Sequence, residues 1–145
     1  MRFTVESVNI AAAKGVQKHE VPEIVCHANF GIEGDAHAGT WHRQVSLLAG
    51  EAIDAMRAKG LELAPGAFGE NIVTRGVDWS RACVGDSIII GEVELEITQI
   101  GKECHSRCAI YDAAGDCIMP RQGIFARVLK GGAIHAHCSG DYRIG

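Results

Sequence analysis

The sequence contains no long apolar segment. No run approaches the roughly 20 apolar residues that a membrane-spanning helix needs. The first residues, 1–6, are also not followed by the apolar core of a secretory signal peptide. The sequence therefore predicts a cytoplasmic protein with no membrane partner.

Cationic residues are not in excess either. The chain has 14 Lys and Arg against 18 Asp and Glu, which gives a formal net charge of −4 and a pI of about 5.9. A chain with this balance has no broad positive field to attract a phosphate backbone. We therefore expect no nucleic-acid partner.

Internal repeats, low-complexity tracts and linker-like segments are missing as well. A chain of 145 residues is long enough to bury one ordinary hydrophobic core. The sequence predicts one domain over residues 1–145.

Short apolar segments punctuated by 18 glycines make up most of the chain. The clearest hairpin is 88–97, with Gly91-Glu92 as its two-residue turn, and Gly131-Gly132 predicts a second tight turn. One helix is predicted over 51–59, with Ala52, Ile53 and Met56 on one apolar stripe and Gly60 as its stop. A second short helix is allowed over 106–113. This pattern favours a mainly β, largely antiparallel barrel with one or two short helices. The predicted strands are 3–10, 20–26, 44–48, 71–74, 87–90, 93–100, 124–129 and 133–138.

Six cysteines are many for this length. Without a secretory signal they are expected to be reduced thiols. Cys26 and Cys83 each have an apolar neighbour, so we expect both to be small buried hydrophobic residues.

The remaining cysteines include an unusual group, Cys104, Cys108 and Cys117, with His105 beside the first. These residues offer zinc ligands, but zinc modules usually pair two short-spaced couples separated by a dozen or more residues. A redox switch, in which Cys108 or Cys117 forms a disulfide with oxidised Cys104, is another alternative. Both alternatives stay open from the residues alone.

Several sequence blocks resemble one known family. They are Gly-Ile-Glu-Gly-Asp-Ala-His-Ala-Gly (31–39) with Arg-Gln-Val-Ser-Leu-Leu (43–48), Phe-Gly-Glu-Asn-Ile (68–72), Val-Gly-Asp (84–86), the cysteine at 104, and the glycine-flanked segment 123–132 with Gly-Asp (140–141). In this order and spacing they resemble the MOSC domain, a module related to the C-terminal domain of molybdenum-cofactor sulfurases. One departure is that the family's usual Arg-x-Pro-Cys reads Gly-Lys-Glu-Cys (101–104) here, without the proline.

The resemblance implies a closed β-barrel of mixed topology, of the MOSC and pyruvate-kinase-barrel type, and a role with the molybdenum cofactor, molybdopterin. In the family the residue at Cys104 accepts sulfur as a persulfide or ligates molybdenum directly, and both uses need a thiolate. The implied partners are a cysteine desulfurase or other sulfur donor, and proteins of molybdenum-cofactor biosynthesis or molybdoenzymes. Because the barrel fills the chain, no pyridoxal phosphate is expected in it.

The cofactor-binding residues that we predict are Asp35, His37, Arg43 and Asn71. Asp35 and His37 lie in a loop of small residues, where backbone can approach an anionic ligand closely. Arg43 offers a bidentate fork to a phosphate such as that of molybdopterin. Asn71 either ties a loop by hydrogen bonds or binds a ligand amide. The alternatives are a solvated loop for the histidine and a surface ion pair for the arginine.

The sequence supports three functional hypotheses. The first is a molybdenum-cofactor protein that binds the cofactor or carries sulfur to it through Cys104. The second is a molybdenum-dependent reductase of N-hydroxylated compounds, which would need separate redox partners because the chain has no flavin or iron–sulfur motif. The third is a non-catalytic module, which either binds the cofactor or is stabilised by zinc through the Cys104 group.

Overall fold

A closed β-barrel forms the body of the protein. The computed structural model describes residues 1–14, 16–101 and 123–144. The elements in these ranges are β1 (Arg2–Ile10), β2 (His19–Val21), β3 (Glu23–His27), β4 (Gly31–Ile32), β5 (Val45–Ala49), α1 (Gly50–Arg57), β6 (Ile72–Arg75), β7 (Ser87–Ile90), β8 (Val93–Ile100), β9 (Ile124–Lys130), β10 (Gly132–His135) and β11 (Ser139–Arg143), with a single 3-10 turn (Trp79–Arg81) before β7.

Seven strands close the barrel in the order β11-β7-β8-β9-β5-β6-β1, because β1 also pairs with β11. Strands β5 and β6 run parallel, and every other described pair in the barrel is antiparallel. A parallel pair needs a crossover connection, and α1 lies in that connection. The described fold is therefore mainly β and of mixed topology, which confirms the predicted fold class.

Alternating side chains on β8 show how the barrel core is built. Val93, Leu95 and Ile97 are fully buried, whereas Glu94 between them is exposed. Gly91 and Glu92 form the turn into this strand, with Ile90 paired to Val93. The hairpin predicted at 88–97 is confirmed, because the period of two in the sequence matches the alternation of a strand with one buried face.

The helix α1 packs on the outside of the barrel wall. Ile53 and Met56 belong to a buried cluster with Leu48, Val73 and Phe125, so the apolar stripe predicted for this helix is confirmed. The helix ends at Arg57, and Gly60 follows with a positive φ of 91°.

The tight turn predicted at Gly131-Gly132 is wrong. The strands on either side do not pair with each other, since β10 pairs with β3 in a separate three-stranded sheet, β10-β3-β4. The glycines are needed there for close approach, because a Cβ at Gly131 would overlap the carbonyl of Cys26 and one at Gly132 would meet Glu92. They turn the chain from the barrel into the second sheet.

Other sequence predictions also needed correction. The strand predicted at 20–26 is two strands that meet at Pro22, whose ring removes a backbone donor. The strand predicted at 133–138 ends at His135, and β11 follows separately. Cys83 is exposed rather than buried, because it lies in a turn closed by its own contacts with Asp86. The helix allowed over 106–113 lies outside the described residues.

Within residues 1–14, 16–101 and 123–144, no helix has the length and apolar character needed to cross a membrane.

Leu95 and Glu94 offer a test of the barrel core on one strand. Replacing the fully buried Leu95 with Ala should lower the free energy of unfolding by about 2–5 kcal/mol, because the change leaves a cavity in a packed core. The matched control Glu94→Ala, on the exposed face, should change it by no more than about 0.5 kcal/mol. Urea denaturation of both variants measures the difference, and similar losses for the two would contradict the assigned faces.

Candidate functional site

The Gly-Asp-Ala-His motif lies directly after β4 and contains a fully buried carboxylate. The Asp35 Oδ1 atom accepts a hydrogen bond from Lys18 Nζ at 2.7 Å and one from the backbone N–H of Ala11 at 3.2 Å. The Oδ2 atom accepts from the backbone N–H of His37 at 3.3 Å. The Lys18 and Asp35 side chains are 1% and 0% exposed. Asp35 therefore neutralises a buried lysine and orders the loop that leads to His37.

A second motif, Phe-Gly-Glu-Asn, supports the same lysine from the other side. The backbone N–H of Lys18 donates to the carbonyl of Gly66 at 3.0 Å. The Glu70 carboxylate in turn accepts from the N–H groups of Gly66, at 2.9 Å, and Phe68, at 3.0 Å. Burial raises the pKa of the Glu70 carboxyl, against the lowering effect of these hydrogen bonds. Two motifs that are far apart in sequence therefore meet at Lys18.

Asn71 is buried inside the fold. Its Oδ1 accepts from the backbone N–H of Ser46 at 3.0 Å, and its Nδ2 donates to the carbonyl of Asn9 at 3.1 Å. These contacts tie β6 to β5 and to β1. Because its side chain is enclosed by these partners and the residue is 0% exposed, Asn71 holds the strands together rather than facing solvent.

A cationic aromatic surface lies beside the buried Lys18–Asp35 pair. We call it the Trp41 cluster, and its members are Lys14, His37, Trp41 and Arg43. The His37 ring stacks on Trp41 with centroids 6.4 Å apart, and Trp41 Nε1 donates to the His37 carbonyl at 2.7 Å. Lys14 Nζ and the Arg43 guanidinium carbon lie 5.2 Å and 4.7 Å from the Trp41 ring centroid. The ring therefore holds two cations, each by an attraction of about 0.5–1 kcal/mol where it is exposed.

Arg43 has a hydrogen-bonding group without a partner. Its guanidinium also lies 5.8 Å from the Phe125 ring, so the two aromatic rings fix its position. The Nε atom is buried and has no hydrogen-bond partner among the residues that the structure describes. Neither Arg43 nor Lys14 forms a salt bridge within that part of the chain. Two positive charges are therefore held at one place, and none of the carboxylates in the described ranges balances them.

The loop that carries Arg43 is tied to the strand end from which the chain enters residues 102–122. His42 Nε2 lies 2.7 Å from Gln99 Oε1, and Gln99 Nε2 donates to the carbonyl of Gly101 at 2.7 Å. The N–H of Gly101 donates to the carbonyl of Gly123, also at 2.7 Å. Gly101 and Gly123, the described residues on either side of segment 102–122, are thus joined by a hydrogen bond close to the loop that carries Arg43. Cys104, together with Cys108, Cys117 and His105, lies outside the described residues.

The described cysteines differ in their surroundings. Cys26 is buried in the core, and desolvation raises the pKa of its thiol to about 12, which keeps it protonated and unreactive at neutral pH. Cys83 is exposed and Cys138 is half-buried. Across residues 1–14, 16–101 and 123–144, no group of three or more His, Cys, Asp or Glu side chains could hold a metal ion.

A cavity of about 790 Å³ lies at the same strand end. Its apolar lining includes Ile100 and Ile124, which flank the entry and return of segment 102–122, and its polar lining includes Glu51 and Asp78. Hydrogen bonds from Ser80 lower the pKa of the Asp78 carboxyl, so this group is anionic at neutral pH. The cavity therefore combines an apolar wall with acidic groups, in contrast to the cationic Trp41 cluster.

The structure separates the four residues predicted to bind a cofactor. His37 and Arg43 meet at Trp41 on the surface, Asp35 lies behind them in its buried ion pair, and Asn71 lies within the strand network. No contact seen here tests whether any of them binds a ligand, so those roles stay predictions.

Sequence reasoning missed Lys14, Lys18 and Trp41. The two lysines lie in a polar segment, which predicts solvated charges, and only the fold buries one of them against Asp35. Trp41 comes shortly after the glycine-rich motif. An aromatic residue at that place was the one signal in the sequence that a ring there could hold cationic side chains.

Comparisons with known proteins agree on one family and one fold. The family described as the MOSC domain matches residues 34–139. The structure is similar to that of the YuaD protein from Bacillus subtilis, with 18% sequence identity and a TM-score of 0.82 over 100% of this chain and 98% of that chain. It is also similar to YiiM from Escherichia coli (19% identity, TM-score 0.67, 100% and 71% of the two chains) and to YiiM from Geobacillus stearothermophilus (18%, 0.69, 99% and 75%). At these identities the likeness shows the fold. Among curated proteins, no sequence matches.

Gly66 provides a test of the support beneath Lys18. Its φ is +90°, and an added Cβ would overlap the Lys18 carbonyl, whereas Gly60 has a φ of +91° with nothing within 4 Å of the same position. Gly60→Ala should therefore lose only the strain of a left-handed residue, about 1–2 kcal/mol. Gly66→Ala should lose more, because the backbone at Lys18 must also move. Chemical denaturation measures both, and equal losses would show that the contact between Gly66 and Lys18 is unimportant.

Proposed function

Because the chain belongs to the MOSC domain family, whose domains are associated with the molybdenum cofactor, we propose that it binds this cofactor, or carries sulfur to it, through Cys104. The observation that carries the proposal is the Trp41 cluster. Among the described residues, Arg43 Nε has no hydrogen-bond partner and the Arg43 and Lys14 charges have no carboxylate partner. These groups and the Trp41 ring lie beside the strand end that leads to Cys104.

The described residues fit such a cofactor. Molybdopterin carries a phosphate, and an arginine held in place by aromatic rings offers that group a fork of parallel hydrogen bonds. Lys14 adds a second positive charge, while the Lys18 charge is already balanced by Asp35. This local positive charge stands against a net charge of −4 for the whole chain, so the cations are concentrated where an anion would bind.

In this function Arg43 and Lys14 bind the phosphate, and His37 and Trp41 form the surface beside it. Asp35 and Asn71 contribute from behind, by fixing the loop and the strands that carry these groups. When bound, the cofactor supplies a redox-active molybdenum centre. Cys104 provides a thiolate, either as a ligand or as a carrier of sulfur.

For sulfur carriage, the Cys104 thiolate attacks the terminal sulfur of a persulfide on a separate donor such as a cysteine desulfurase. A new S–S bond forms on Cys104, the S–S bond of the donor breaks, and the donor leaves as a thiolate. The persulfide on Cys104 is then a reversible store of one sulfur atom, which passes on to the cofactor or to a molybdoenzyme partner.

The test is elemental analysis for molybdenum and zinc, with the pterin released on denaturation measured by its fluorescence. The protein is purified without oxygen from cells that make the cofactor. Direct ligation predicts about one molybdenum per chain, and Cys104→Ser should lose the metal. Sulfur carriage predicts that pterin stays bound in both proteins and that only the native chain accepts labelled sulfur from a persulfide donor.

Arg43→Ala separates the Trp41 cluster from Cys104 in the same experiment. Removing a charge-assisted hydrogen bond costs about 1.5–3 kcal/mol, so pterin affinity should fall by roughly tenfold or more. The control Arg143→Ala removes an exposed arginine that pairs with Asp141 and should leave pterin content unchanged. Native protein without pterin would reject cofactor binding, and stoichiometric zinc would instead favour a structural site.

A second candidate function is reduction of N-hydroxylated compounds at the bound cofactor. The cavity between Ile100, Ile124, Glu51 and Asp78 supports it, because an apolar wall suits the organic part of such a substrate and the carboxylates can accept hydrogen bonds from its N–H and N–OH groups.

Filling this cavity tests the second function. Ala52 lines the cavity, and Ala52→Trp should lower reductase kcat/KM with supplied electrons while molybdenum content stays the same. Ala58→Trp, at an exposed position after the same helix, is the control and should keep native activity. Absence of turnover in native, molybdenum-loaded protein would leave a binding or carrier function.

A further inference from the structure

Trp41 also lines a small pocket on the outer face of the barrel. The pocket has a volume of about 230 Å³ and lies over β8 and β9, where Glu96 and Arg127 are paired across the two strands. Their side chains are on the outer face, because the neighbouring residues in each strand are buried in the core. The other lining residues are Asn29, Thr40, His42 and Thr98. The pocket therefore lies between the barrel wall and the loop that contains Trp41.

Contacts with β8 hold the loop side of this pocket in place. The Thr98 hydroxyl contacts the carbonyl of His42, and His42 Nε2 lies 2.7 Å from Gln99 Oε1. The His42 ring also makes an edge contact with Trp41, with centroids 5.8 Å apart. Because the loop is already ordered by these contacts, a ligand that enters the pocket does not have to supply the free energy of ordering it.

The ion pair between Glu96 and Arg127 places an acceptor and a donor next to each other in the pocket. Arg127 Nε and Nη2 both lie 2.9 Å from Glu96 Oε1. Within the described ranges, no residue bonds to Glu96 Oε2 or to Arg127 Nη1. Both side chains are partly exposed, so these two atoms are accessible to a ligand. The pocket thus offers a carboxylate oxygen beside a guanidinium N–H.

A ring edge with a carbonyl, an N–H and an amino group in a row complements this pair of side chains. The ring carbonyl accepts from the guanidinium, while the ring N–H and the amino group donate to the carboxylate. The 2-amino-4-oxopyrimidine ring has this edge, and both pterin and guanine contain that ring. Proteins read such rings through hydrogen bonds to their edges. The Asn29 amide and the Thr40 hydroxyl, which bond to no other described residue, are further polar groups at the same pocket.

We propose that this pocket binds the 2-amino-4-oxopyrimidine edge of the pterin, and that Glu96 determines the specificity for it. The inference deepens the proposed function and rests on it for the identity of the ligand. Trp41 lines the pocket and also holds the Lys14 and Arg43 cations. The ring subsite and the phosphate subsite therefore adjoin at one side chain, as a ligand that carries both groups requires.

Calorimetric titration of the cofactor-free protein tests this specificity with two matched probes. The probes are 6-hydroxymethylpterin phosphate and the corresponding lumazine, which has a carbonyl oxygen in place of the 2-amino group. In the lumazine an acceptor faces the Glu96 carboxylate where the pterin has a donor. The native protein should therefore bind the pterin more tightly, by roughly tenfold or more. Equal affinity for the two probes overturns the proposal.

Two glutamates on the same strand show whether Glu96 is the cause. Glu96→Gln keeps the size of the side chain but can donate to the lumazine carbonyl, so the preference for the pterin should largely disappear. Glu94→Gln is the matched control, because Glu94 is exposed on the same face of β8 and does not line the pocket. It should keep the native preference. An unchanged preference in Glu96→Gln, or an equal loss in both variants, would show that Glu96 does not read the ring.

Guanosine monophosphate separates the two sources of the ring edge, because it carries the same edge and a phosphate. We expect it to bind more weakly than the pterin phosphate, since a ribose separates its ring from its phosphate. Binding of the nucleotide that depends on Glu96, without binding of the pterin, would overturn the assignment to a pterin.

Pterin content separates this inference from the proposed function. If native protein from cofactor-making cells contains pterin and Glu96→Gln contains as much, with unchanged affinity for the pterin phosphate, the pocket is rejected and cofactor binding stands. If the native protein contains no pterin but binds the pterin phosphate through Glu96, cofactor binding in cells is rejected and the specificity of the pocket stands.

Discussion

The buried ion pair between Lys18 and Asp35 is the interaction on which the candidate site depends. Both side chains are almost fully enclosed, and their immediate neighbours come from the end of β1, the loop after β4 and the loop before β6. Removing one partner of such a pair typically costs about 3–5 kcal/mol, because the other charge is left buried without compensation. The pair therefore locks three chain segments together, and the Trp41 cluster lies on the surface that these segments form.

The two kinds of surface at the strand end near Gly101 have opposite charge. On one side, Arg43 and Lys14 lie on Trp41 without carboxylate partners in the described parts of the chain; on the other, the cavity carries Glu51 and Asp78. Hydrogen bonds through Gln99 connect the first side to the point where the chain enters segment 102–122. The two sides of this strand end therefore differ in the sign of the charge that they carry.

The sequence predicted secondary structure correctly where a local pattern of apolar and polar residues fits only one kind of element. The alternation at 93–97 matches β8, the apolar stripe at Ile53 and Met56 matches α1, and both follow from the periods of strand and helix. It failed where a residue's role depends on a distant contact. Gly131 looked like a hairpin residue but is a glycine because the Cys26 carbonyl passes close to it. Cys83 looked like a core residue, yet its turn leaves it exposed.

The sequence by itself determined a mainly β barrel, one helix, the MOSC family and the candidate residues of its motifs, because these depend on periodicity and on short, contiguous blocks. Only the tertiary structure decided which motif residues face solvent. His37 and Arg43 contact Trp41. The side chain of Asp35, in contrast, is hydrogen-bonded to the buried Lys18, and that of Asn71 is hydrogen-bonded to Ser46 and Asn9. Those partners lie 17, 25 and 62 residues away in sequence. The pairing of a buried polar group depends on which segments the barrel brings together, and no local pattern carries that information.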